Sequence, residues 1–275
     1  MSHEPISLVL RARNSAATLG EVLRALDLGE GDEIVLVDSG STDATLAIAR
    51  SHGARIVSIP AESFTYGHAL NVGFQAARNP WVLSLSSHTV PARPGFLAAY
   101  RRALGRFPST VVAAVGPILG EFGAPLPAGL TLYEGDDLAE GFGFGAGNPN
   151  ALYRRSAWER HPFDPKSEGG EDLQWYVEAL RSGETVAAVH DAPVRYLSRR
   201  TFAAFYRKGR VDHRAAVRWI RVRPPTVAGV AVRCLKLSAF LLLGRMDWHG
   251  AKGGIAHALG GLAESRALAR KAGGP

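Results

Sequence analysis

The sequence contains almost no cysteine, since Cys234 is the only one in 275 residues. A single thiol excludes an intramolecular disulfide and a metal site built on several cysteines. Its apolar surroundings, AVRCLKL, favour a buried structural thiol over a nucleophile. The opening residues, MSHEPISLVL, lack a basic region followed by a long apolar run, so we expect no secretory signal and a cytoplasmic protein.

Two nucleotide-binding motifs are also missing. No Gly-x-Gly-x-x-Gly follows the first predicted strand, where RARNSAATLGE stands, and the chain has no P-loop. These absences argue against a nucleotidyltransferase or a dinucleotide-dependent enzyme of doubly wound fold. We keep that class as an alternative.

No long apolar run is free of charge. Residues 225–243, PTVAGVAVRCLKLSAFLLL, carry Arg233 and Lys236, which argues against a transmembrane span. Two other interpretations stay open: a helix buried against the main domain, or an amphipathic helix lying on a membrane or a partner. Basic residues between positions 207 and 223 would favour anionic lipid.

Basic residues are in excess, with 32 Lys and Arg against 25 Asp and Glu, for a net charge of +7. This balance suggests an anionic partner, namely nucleic acid, an acidic membrane surface or a phosphorylated ligand. Because the chain is rich in alanine and arginine throughout, a general composition bias explains the same number.

The first hundred residues alternate between strand and helix patterns. Strands are predicted at 6–10, 33–37, 55–59 and 81–85, with helices between them, of which the second runs from about 43 to 53 and the third from 67 to 78. One further helix (95–105) and strand (111–115) follow. This order predicts an α/β fold whose mostly parallel sheet carries helices on both faces. Regular patterns return at residue 156, at 170–181 and at 185–189, and from residue 199 onward the chain is largely helical. A loop-rich segment at 116–150 is predicted to form a wall of the site.

Two carboxylates follow the second strand, in EIVLVDSGSTDATLAIAR. Asp38 ends the apolar run, Gly40 allows a tight turn, and Ser41 or Thr42 is predicted to cap the next helix. Ligands of open α/β sheets bind outside the carboxyl ends of the strands. Asp38 and Asp43 are therefore predicted to lie at a ligand site.

A second acidic pair stands in SEGGEDLQW, where two glycines precede Glu171 and Asp172. Acidic residues in a first helical turn are favoured by the helix dipole, so a capping role alone would explain them. The functional interpretation is a general base that takes the proton of an acceptor hydroxyl during inverting sugar transfer.

Four segments together resemble a family 2 glycosyltransferase of the GT-A fold: VDSGSTDAT, GHALNVGFQAA, LSSHTVP and GGEDLQW. Their order and spacing match from about residue 6 to residue 214. The resemblance implies that Asp172 is the catalytic base, with Glu171 beside it, and that Asp38 contacts the nucleobase. It places the following further residues at the donor: Arg11, Arg13, Asn14, Ser39, Gly40, Asp43, His68, Asn71 and Ser87.

One departure from the family concerns the metal. Ser86, Ser87 and His88 stand where most members have an acidic Asp-x-Asp motif that holds a divalent cation on the diphosphate. Histidine can bind manganese but suits magnesium poorly, so a role for Mn²⁺ or Mg²⁺ stays open, with His88 as the candidate ligand. Without a metal, basic side chains must stabilise the leaving diphosphate. Arg207 and Arg210, in FYRKGRVDHR, are the candidates, and a solvated or membrane-facing basic stretch is the other interpretation of the same residues.

The sequence therefore predicts a catalytic domain at 1–198 and a helical segment at 199–275 that can associate with the membrane. The expected partners are a nucleotide-sugar, a saccharide or lipid-linked acceptor and an anionic membrane surface, without nucleic acid. Trp175, one turn after Asp172, is the aromatic residue best placed to stack on an acceptor sugar. A protein that binds membranes and has lost catalysis remains a third alternative, supported by the missing acidic motif. The expected location is the cytoplasm, including the inner face of the cell membrane.

Overall fold

A computed structural model describes residues 4–119, 128–135, 147–167, 169–197, 201–219, 225–242 and 248–272. They fall into two compact units. The sheet unit comprises the described residues up to 197, and the helical unit comprises those from 201 onward. That residues 1–198 form the catalytic domain stays a prediction.

Short apolar runs form the strands of the sheet unit. In chain order they are β1 (Ile6–Ala12), β2 (Glu33–Asp38), β3 (Arg55–Ser58), β4 (Trp81–Ser86), β5 (Thr89–Pro91), β6 (Val111–Val115), β7 (Ile118–Leu119), β8 (Leu130–Tyr133), β9 (Asn150–Arg154), β10 (Thr185–Val189) and β11 (Val194–Tyr196). The large sheet has the order β3-β2-β1-β4-β9-β6-β10-β8, and β5, β11 and β7 form a small second sheet. Among the described strands of the large sheet, only β9 and β8 are antiparallel to their neighbours. The predicted mostly parallel sheet is confirmed.

Strand β9 was not predicted from the sequence. Its five residues, NALYR, follow a glycine- and proline-rich segment and give too short a pattern to recognise. In the structure β9 lies between β4 and β6 and is antiparallel to both. This insertion brings the segment just before β9 to the carboxyl end of β4.

The helices of the sheet unit begin and end within about two residues of the predicted bounds where a helix was predicted. They are α1 (Ala16–Arg24), α2 (Thr45–Ser51), α3 (Tyr66–Ala76), α4 (Phe96–Leu104), α5 (Arg155–Arg160) and α6 (Glu171–Arg181). Leu8 and Leu10 of β1 belong to one core layer with residues of α1 and α4. Val9 faces α3 on the other side, where a Cβ on Gly73 would lie 2.3 Å from Val9 Cγ1. Helices therefore cover both faces of the sheet.

The predicted loop-rich wall at 116–150 is described only in part. Residues 116–119, 128–135 and 147–150 are described and include β7 and β8. Most of GFGFGAGNPN lies outside the described residues.

The helical unit contains α7 (Phe202–Trp219), α8 (Val227–Leu242) and α9 (Trp248–Ala272), which confirms the predicted C-terminal helices. Helices α7 and α9 approach closely at glycines. A Cβ on Gly209 would lie 2.0 Å from the carbonyl oxygen of His257, and one on Gly260 would lie 2.0 Å from that of Tyr206. No described helix combines the length and the apolar character that a membrane span requires.

Candidate active site

Asp38 is the last residue of β2, and its side chain bonds to the turn that follows. Its Oδ2 atom accepts hydrogen bonds from the backbone N–H groups of Gly40 and Ser41, each at 3.1 Å. Gly40 has a φ of 87°, a value that favours glycine. Ser39 is buried, and its N–H bonds to the carbonyl of Ala12 at 3.1 Å. The carboxyl ends of β1 and β2 are thus joined directly.

Asn14 joins the loops that follow β1 and β2. Its N–H donates to Ser41 Oγ at 3.0 Å, and its Oδ1 accepts the N–H of Thr42 at 2.8 Å. Asn14 has a positive φ of 48°, a conformation that asparagine tolerates. Arg13 beside it is exposed. The loops after β1 and β2, which were predicted to bind the donor, therefore form one connected surface.

Asp43 caps two helices at once. Its Oδ2 accepts the N–H of Ala16 at 3.1 Å, and its Oδ1 accepts the N–H of Thr45 at 3.0 Å and the Thr45 hydroxyl at 2.5 Å. The hydrogen bond from the Thr45 hydroxyl lowers the pKa of Asp43 most. The prediction that Ser41 or Thr42 caps α2 was wrong, because both residues bond to Asn14 and the carboxylate reaches the helix start instead.

The end of β4 is tied to α1 by hydroxyl groups. Ser87 Oγ lies 3.0 Å from Ser15 Oγ, and Thr18 Oγ1 donates to the Ser87 carbonyl at 2.7 Å. The same Thr18 hydroxyl lies 3.1 Å from Nδ1 of His88. Within the described ranges no three His, Cys, Asp or Glu side chains come together as a metal site. These residues alone do not fit a protein-held cation, and we derive no step through a metal.

Helix α3 carries the two predicted donor residues His68 and Asn71. His68 is partly buried, and its backbone N–H donates to the hydroxyl of Thr65, which caps α3, at 3.0 Å. Asn71 Oδ1 accepts from Trp158 Nε1 at 2.9 Å and from the Phe163 N–H at 3.0 Å, while Nδ2 donates to the Phe163 carbonyl at 2.8 Å. Asn71 therefore binds the chain around Phe163 firmly to α3.

Glu171 and Asp172 stand at the first turn of α6, after Gly170 with φ 77°. Glu171 is 5% exposed, and its Oε1 accepts from Asn148 Nδ2 at 2.8 Å. Asp172 is less buried. Its Oδ2 accepts the Asn148 N–H at 3.0 Å, and its Oδ1 accepts the N–H of Leu173 at 2.8 Å.

Arg11 places a positive charge beside this acidic pair. Its Nη1 lies 3.7 Å from Glu171 Oε1, and its guanidinium lies over the Tyr66 ring, 5.1 Å from the centroid. The pKa of Glu171 is raised to about 7, chiefly by burial and then by the nearby Asp172 charge, whereas Arg11 acts to lower it. The structure thus brings Arg11, from the predicted donor residues, to the predicted catalytic pair.

Asn148 is the site residue that the sequence did not suggest. It is 1% exposed and touches both carboxylates. It lies in a glycine- and proline-rich stretch, where asparagine is typical of turns. The sequence feature that could have identified it is its position in NPN, just before a short strand. The antiparallel β9 that carries it to α6 was not predicted either.

Trp175 does not fit an acceptor-stacking role. Its side chain is 3% exposed, and its Nε1 donates to the His161 carbonyl at 2.7 Å. Its ring packs edge-on against Tyr153 and Tyr176, with centroids 5.0 and 6.0 Å away. A ring enclosed by other aromatic rings has little surface left for a sugar, so Trp175 is a core residue.

Arg207 and Arg210 lie on α7 in the helical unit. Arg207 is exposed. Arg210 pairs with Glu264 at 2.8 Å, and Arg214 pairs with the same carboxylate at 2.9 Å. Glu264 is 5% exposed, so two arginines compensate one buried charge. Their role at the diphosphate stays a prediction.

A model of a known family matches this chain. The model described as glycosyl transferase family 2 matches residues 7–160, more than half of the 275 residues. The chain belongs to glycosyl transferase family 2. The matched region includes Arg11, Asp38 and Asn148 and ends before Asp172.

Curated relatives of this family member are found among mycobacterial proteins. The chain is 35% identical over 82 residues to uncharacterized glycosyltransferases of Mycobacterium bovis and of Mycobacterium tuberculosis. This stretch covers 30% of the chain and 36% of each relative. The match therefore spans about a third of the length of these curated relatives.

Solved structures of glycosyltransferases share the fold. The Pyrobaculum calidifontis mannosyltransferase in complex with GDP-Man and Mn²⁺ has a TM-score of 0.62 at 18% identity, covering 100% of this chain and 77% of that one. Staphylococcus aureus TarS in complex with UDP-GlcNAc has a TM-score of 0.59 at 14% identity, with 96% and 92% covered. The Mycobacterium tuberculosis glucosyl-3-phosphoglycerate synthase in complex with Mn²⁺, UDP and glucosyl-3-phosphoglycerate has a TM-score of 0.58 at 21% identity, covering 80% of this chain and 81% of that one. The predicted GT-A fold is confirmed.

Proposed function

We propose that this family 2 member is an inverting glycosyltransferase that moves a sugar from a nucleotide-sugar to an acceptor hydroxyl, with Asp172 as the base. The observation that carries the proposal is the acidic pair at the start of α6. Asp172 is held by two backbone N–H groups next to the buried Glu171, and Arg11 connects the pair to the end of β1. Family membership supplies the reaction class.

The reaction needs one carboxylate with spare acceptor capacity. Each oxygen of Asp172 accepts one backbone hydrogen bond, and a carboxylate can accept about four, so an acceptor hydroxyl can still bind. Asp172 takes the proton while the hydroxyl oxygen attacks the anomeric carbon. The bond from that carbon to the diphosphate oxygen breaks, and its electron pair leaves with the nucleoside diphosphate. A single displacement of this kind inverts the anomeric centre.

The connected surface at the ends of β1 and β2 is proposed to bind the nucleotide. Asp38 keeps its carboxylate at the carboxyl end of β2, and Asn14 holds the two loops together. Arg11 provides positive charge at the same end of the sheet. We expect the nucleobase at Asp38 and the sugar toward α6, which would bring the anomeric carbon near Asp172.

The acceptor is proposed to be a lipid-linked saccharide or a polysaccharide precursor at an anionic membrane surface. Three apolar side chains of α8 are largely exposed, with Val227 at 57%, Val232 at 51% and Leu235 at 70%. The opposite side of α8 packs on α9, where a Cβ on Gly254 would lie 2.8 Å from Leu237 Cδ1. Exposed Lys236 and the net charge of +7 suit an anionic lipid surface.

A donor panel tests the proposal. The protein is incubated with GDP-mannose, UDP-GlcNAc, UDP-glucose and a dTDP-sugar, each with Mn²⁺ or with EDTA, and release of nucleoside diphosphate is measured. We expect release and binding with one or a few of these donors, and the EDTA arm reports whether a cation is needed. Failure to bind or turn over any nucleotide-sugar would reject the proposal and favour a protein that binds membranes without catalysis. Nucleotidyl transfer with release of pyrophosphate would identify the other alternative.

A further inference from the structure

Both carboxylates at the start of α6 share one partner residue. The backbone N–H of Asn148 donates to Asp172 Oδ2 at 3.0 Å, and the side-chain Nδ2 donates to Glu171 Oε1 at 2.8 Å. One residue therefore binds Asp172 through its main chain and Glu171 through its side chain. Any movement of Asn148 must change both contacts.

Two buried tyrosines set the orientation of the Asn148 amide. Tyr153 OH donates to Asn148 Oδ1 at 2.8 Å, and Tyr176 OH lies 2.6 Å from Tyr153 OH. A hydroxyl has one hydrogen, so Tyr153 donates to the amide and accepts from Tyr176. With Oδ1 occupied by this donor, Nδ2 is the end that faces Glu171. The reversed amide would place an oxygen against the Glu171 carboxylate.

The network is buried and closely packed. Asn148 is 1% exposed, and Tyr153 and Tyr176 are 0% and 1% exposed. The Asn148 carbonyl is bound by Ser84 Oγ at 2.7 Å, which fixes the main chain as well. A Cβ on Gly147 would lie 2.6 Å from Asp172 Oδ2. Only a residue without a side chain permits this approach, which explains the glycine before Asn148.

We propose that Asn148 is a positioning residue for sugar transfer, which holds Asp172 and Glu171 in place while the Tyr176–Tyr153 hydroxyl pair fixes its amide. The inference rests on the proposed function, because it assigns Asn148 to the base of that reaction. Asn148 itself need not touch the substrate. Its contribution is to keep the Asp172 carboxylate aimed at the acceptor hydroxyl.

The pH dependence of kcat is a second test of the inference, because charged and titratable groups surround Glu171. Among the described residues these are Arg11 on β1, Asp172 and Tyr176 on α6, and Tyr153 on β9. The hydrogen bond from Asn148 lowers the pKa of Glu171 against the effect of burial. Replacing the amide by a carboxylate removes this donor and adds a like charge, so the carboxylates hold a proton to higher pH.

The chain contains a matched control for both changes. Tyr100 OH donates to Asn150 Oδ1 at 2.8 Å, the same distance as between Tyr153 and Asn148. Tyr100 is 0% exposed, and Asn150 Nδ2 donates to the Ala192 carbonyl. This second tyrosine–asparagine pair is equally buried, and the side-chain hydrogen bonds described for it run within the pair and to the Ala192 carbonyl, not to Glu171 or Asp172. Tyr100→Phe and Asn150→Asp therefore measure the cost of the same changes in a buried pair that does not hold the two carboxylates.

The experiment compares Asn148→Asp and Tyr153→Phe with these two controls, using the donor that wild type turns over. For Asn148→Asp we expect kcat to fall by roughly ten- to a hundredfold, as for a misplaced reactive group. In Tyr153→Phe we expect a smaller loss of kcat. The donor KM should change by less than about threefold in both variants. The pH at which kcat is half-maximal should rise in Asn148→Asp. The controls should keep the wild-type pH profile at a comparable loss of melting temperature.

Equal losses of kcat in the Tyr153 and Tyr100 variants, or an unchanged pH profile in Asn148→Asp, would overturn the inference. If Asn148→Asp fails to fold, Tyr153→Phe against Tyr100→Phe decides alone, because each removes one oxygen atom. Failure of the proposed function looks different, since wild type would then turn over no donor in the panel.

Discussion

Arg11 Nη1 lies 3.7 Å from Glu171 Oε1, and this ion pair joins the end of β1 to the start of α6. The two side chains are 14% and 5% exposed. Arg11 belongs to the predicted donor surface, whereas Glu171 is adjacent in the chain to the proposed base. Binding of an anionic nucleotide near Arg11 would therefore change the electrostatic environment of Glu171 and Asp172, because charges interact strongly in a poorly solvated site.

Replacing Asp172 by Asn should abolish transfer while donor binding persists. The amide keeps the shape of the side chain but cannot take a proton, so we expect kcat to fall by roughly 100- to 10,000-fold. Glu178→Gln, on an exposed position of the same helix, serves as the control. Initial rates and donor titrations measure both quantities. A rate within a few fold of wild type would remove Asp172 from the role of base.

The stability of the protein should depend on Glu171 and pH. In the folded state its pKa is about 7, whereas the ordinary value is 4.5, so between these values the folded chain binds more protons than the unfolded chain. The contribution of Glu171 to the free energy of unfolding is therefore full below about pH 4.5 and falls as the pH rises to about 7. In urea unfolding across this range, the free energy of unfolding should fall more steeply with pH in wild type than in Glu171→Gln. Glu159→Gln, at an exposed glutamate, should retain the wild-type slope, and parallel curves for wild type and Glu171→Gln would contradict the prediction.

Asp38→Asn should weaken donor binding without opening the turn. The remaining amide oxygen can still accept the N–H groups of Gly40 and Ser41, so we expect the melting temperature to change little. Loss of the charged acceptor should raise the donor KM by about tenfold or more, as for hydrogen bonds to charged groups. Asp164→Asn is the control, since Asp164 Oδ1 accepts the Lys166 N–H in a similar local turn at 2.9 Å. An unchanged donor KM would show that Asp38 does not bind the nucleotide.

Association with anionic membranes should depend on the exposed side of α8. Replacing Val232 and Leu235 by Ser removes two exposed apolar side chains and should reduce sedimentation with phosphatidylserine–phosphatidylcholine vesicles at low salt. High salt should weaken the wild-type binding, because it screens the basic residues. Leu28→Ser, at an exposed leucine of the sheet unit, should bind like wild type. Failure of the full chain to sediment with these vesicles would reject the membrane proposal.

The sequence predicted the first half of the sheet unit well because its signals are local. The strand prediction at 111–115 matches β6, and the predicted helix at 67–78 differs from α3 (Tyr66–Ala76) by one or two residues at its ends. Apolar runs and turn residues determine such elements within a few residues of chain. The contact of Asn148 with Glu171 spans 23 residues and depends on an unpredicted antiparallel strand.

Helix capping shows the same division. The sequence pattern predicted that Ser41 or Thr42 caps the start of α2. In the structure Asp43 caps both α1 and α2, and Ser41 and Thr42 bond to Asn14 instead. The N–H of Ala16 and the carboxylate of Asp43 meet only because β1 and β2 are parallel neighbours. A sequence pattern contains no information on which loop will lie beside which.

By itself, the sequence determined the strand-helix order from β1 to β4, the family resemblance and the acidic residues at the end of β2 and at the start of α6. These follow from periodicity, turn chemistry and motifs that are contiguous along the chain. Only the tertiary structure decided that Arg11 pairs with Glu171, that Asn148 holds both carboxylates and that Trp175 is buried. Such contacts join distant segments, and they form only when the folded sheet brings the strand ends to one edge.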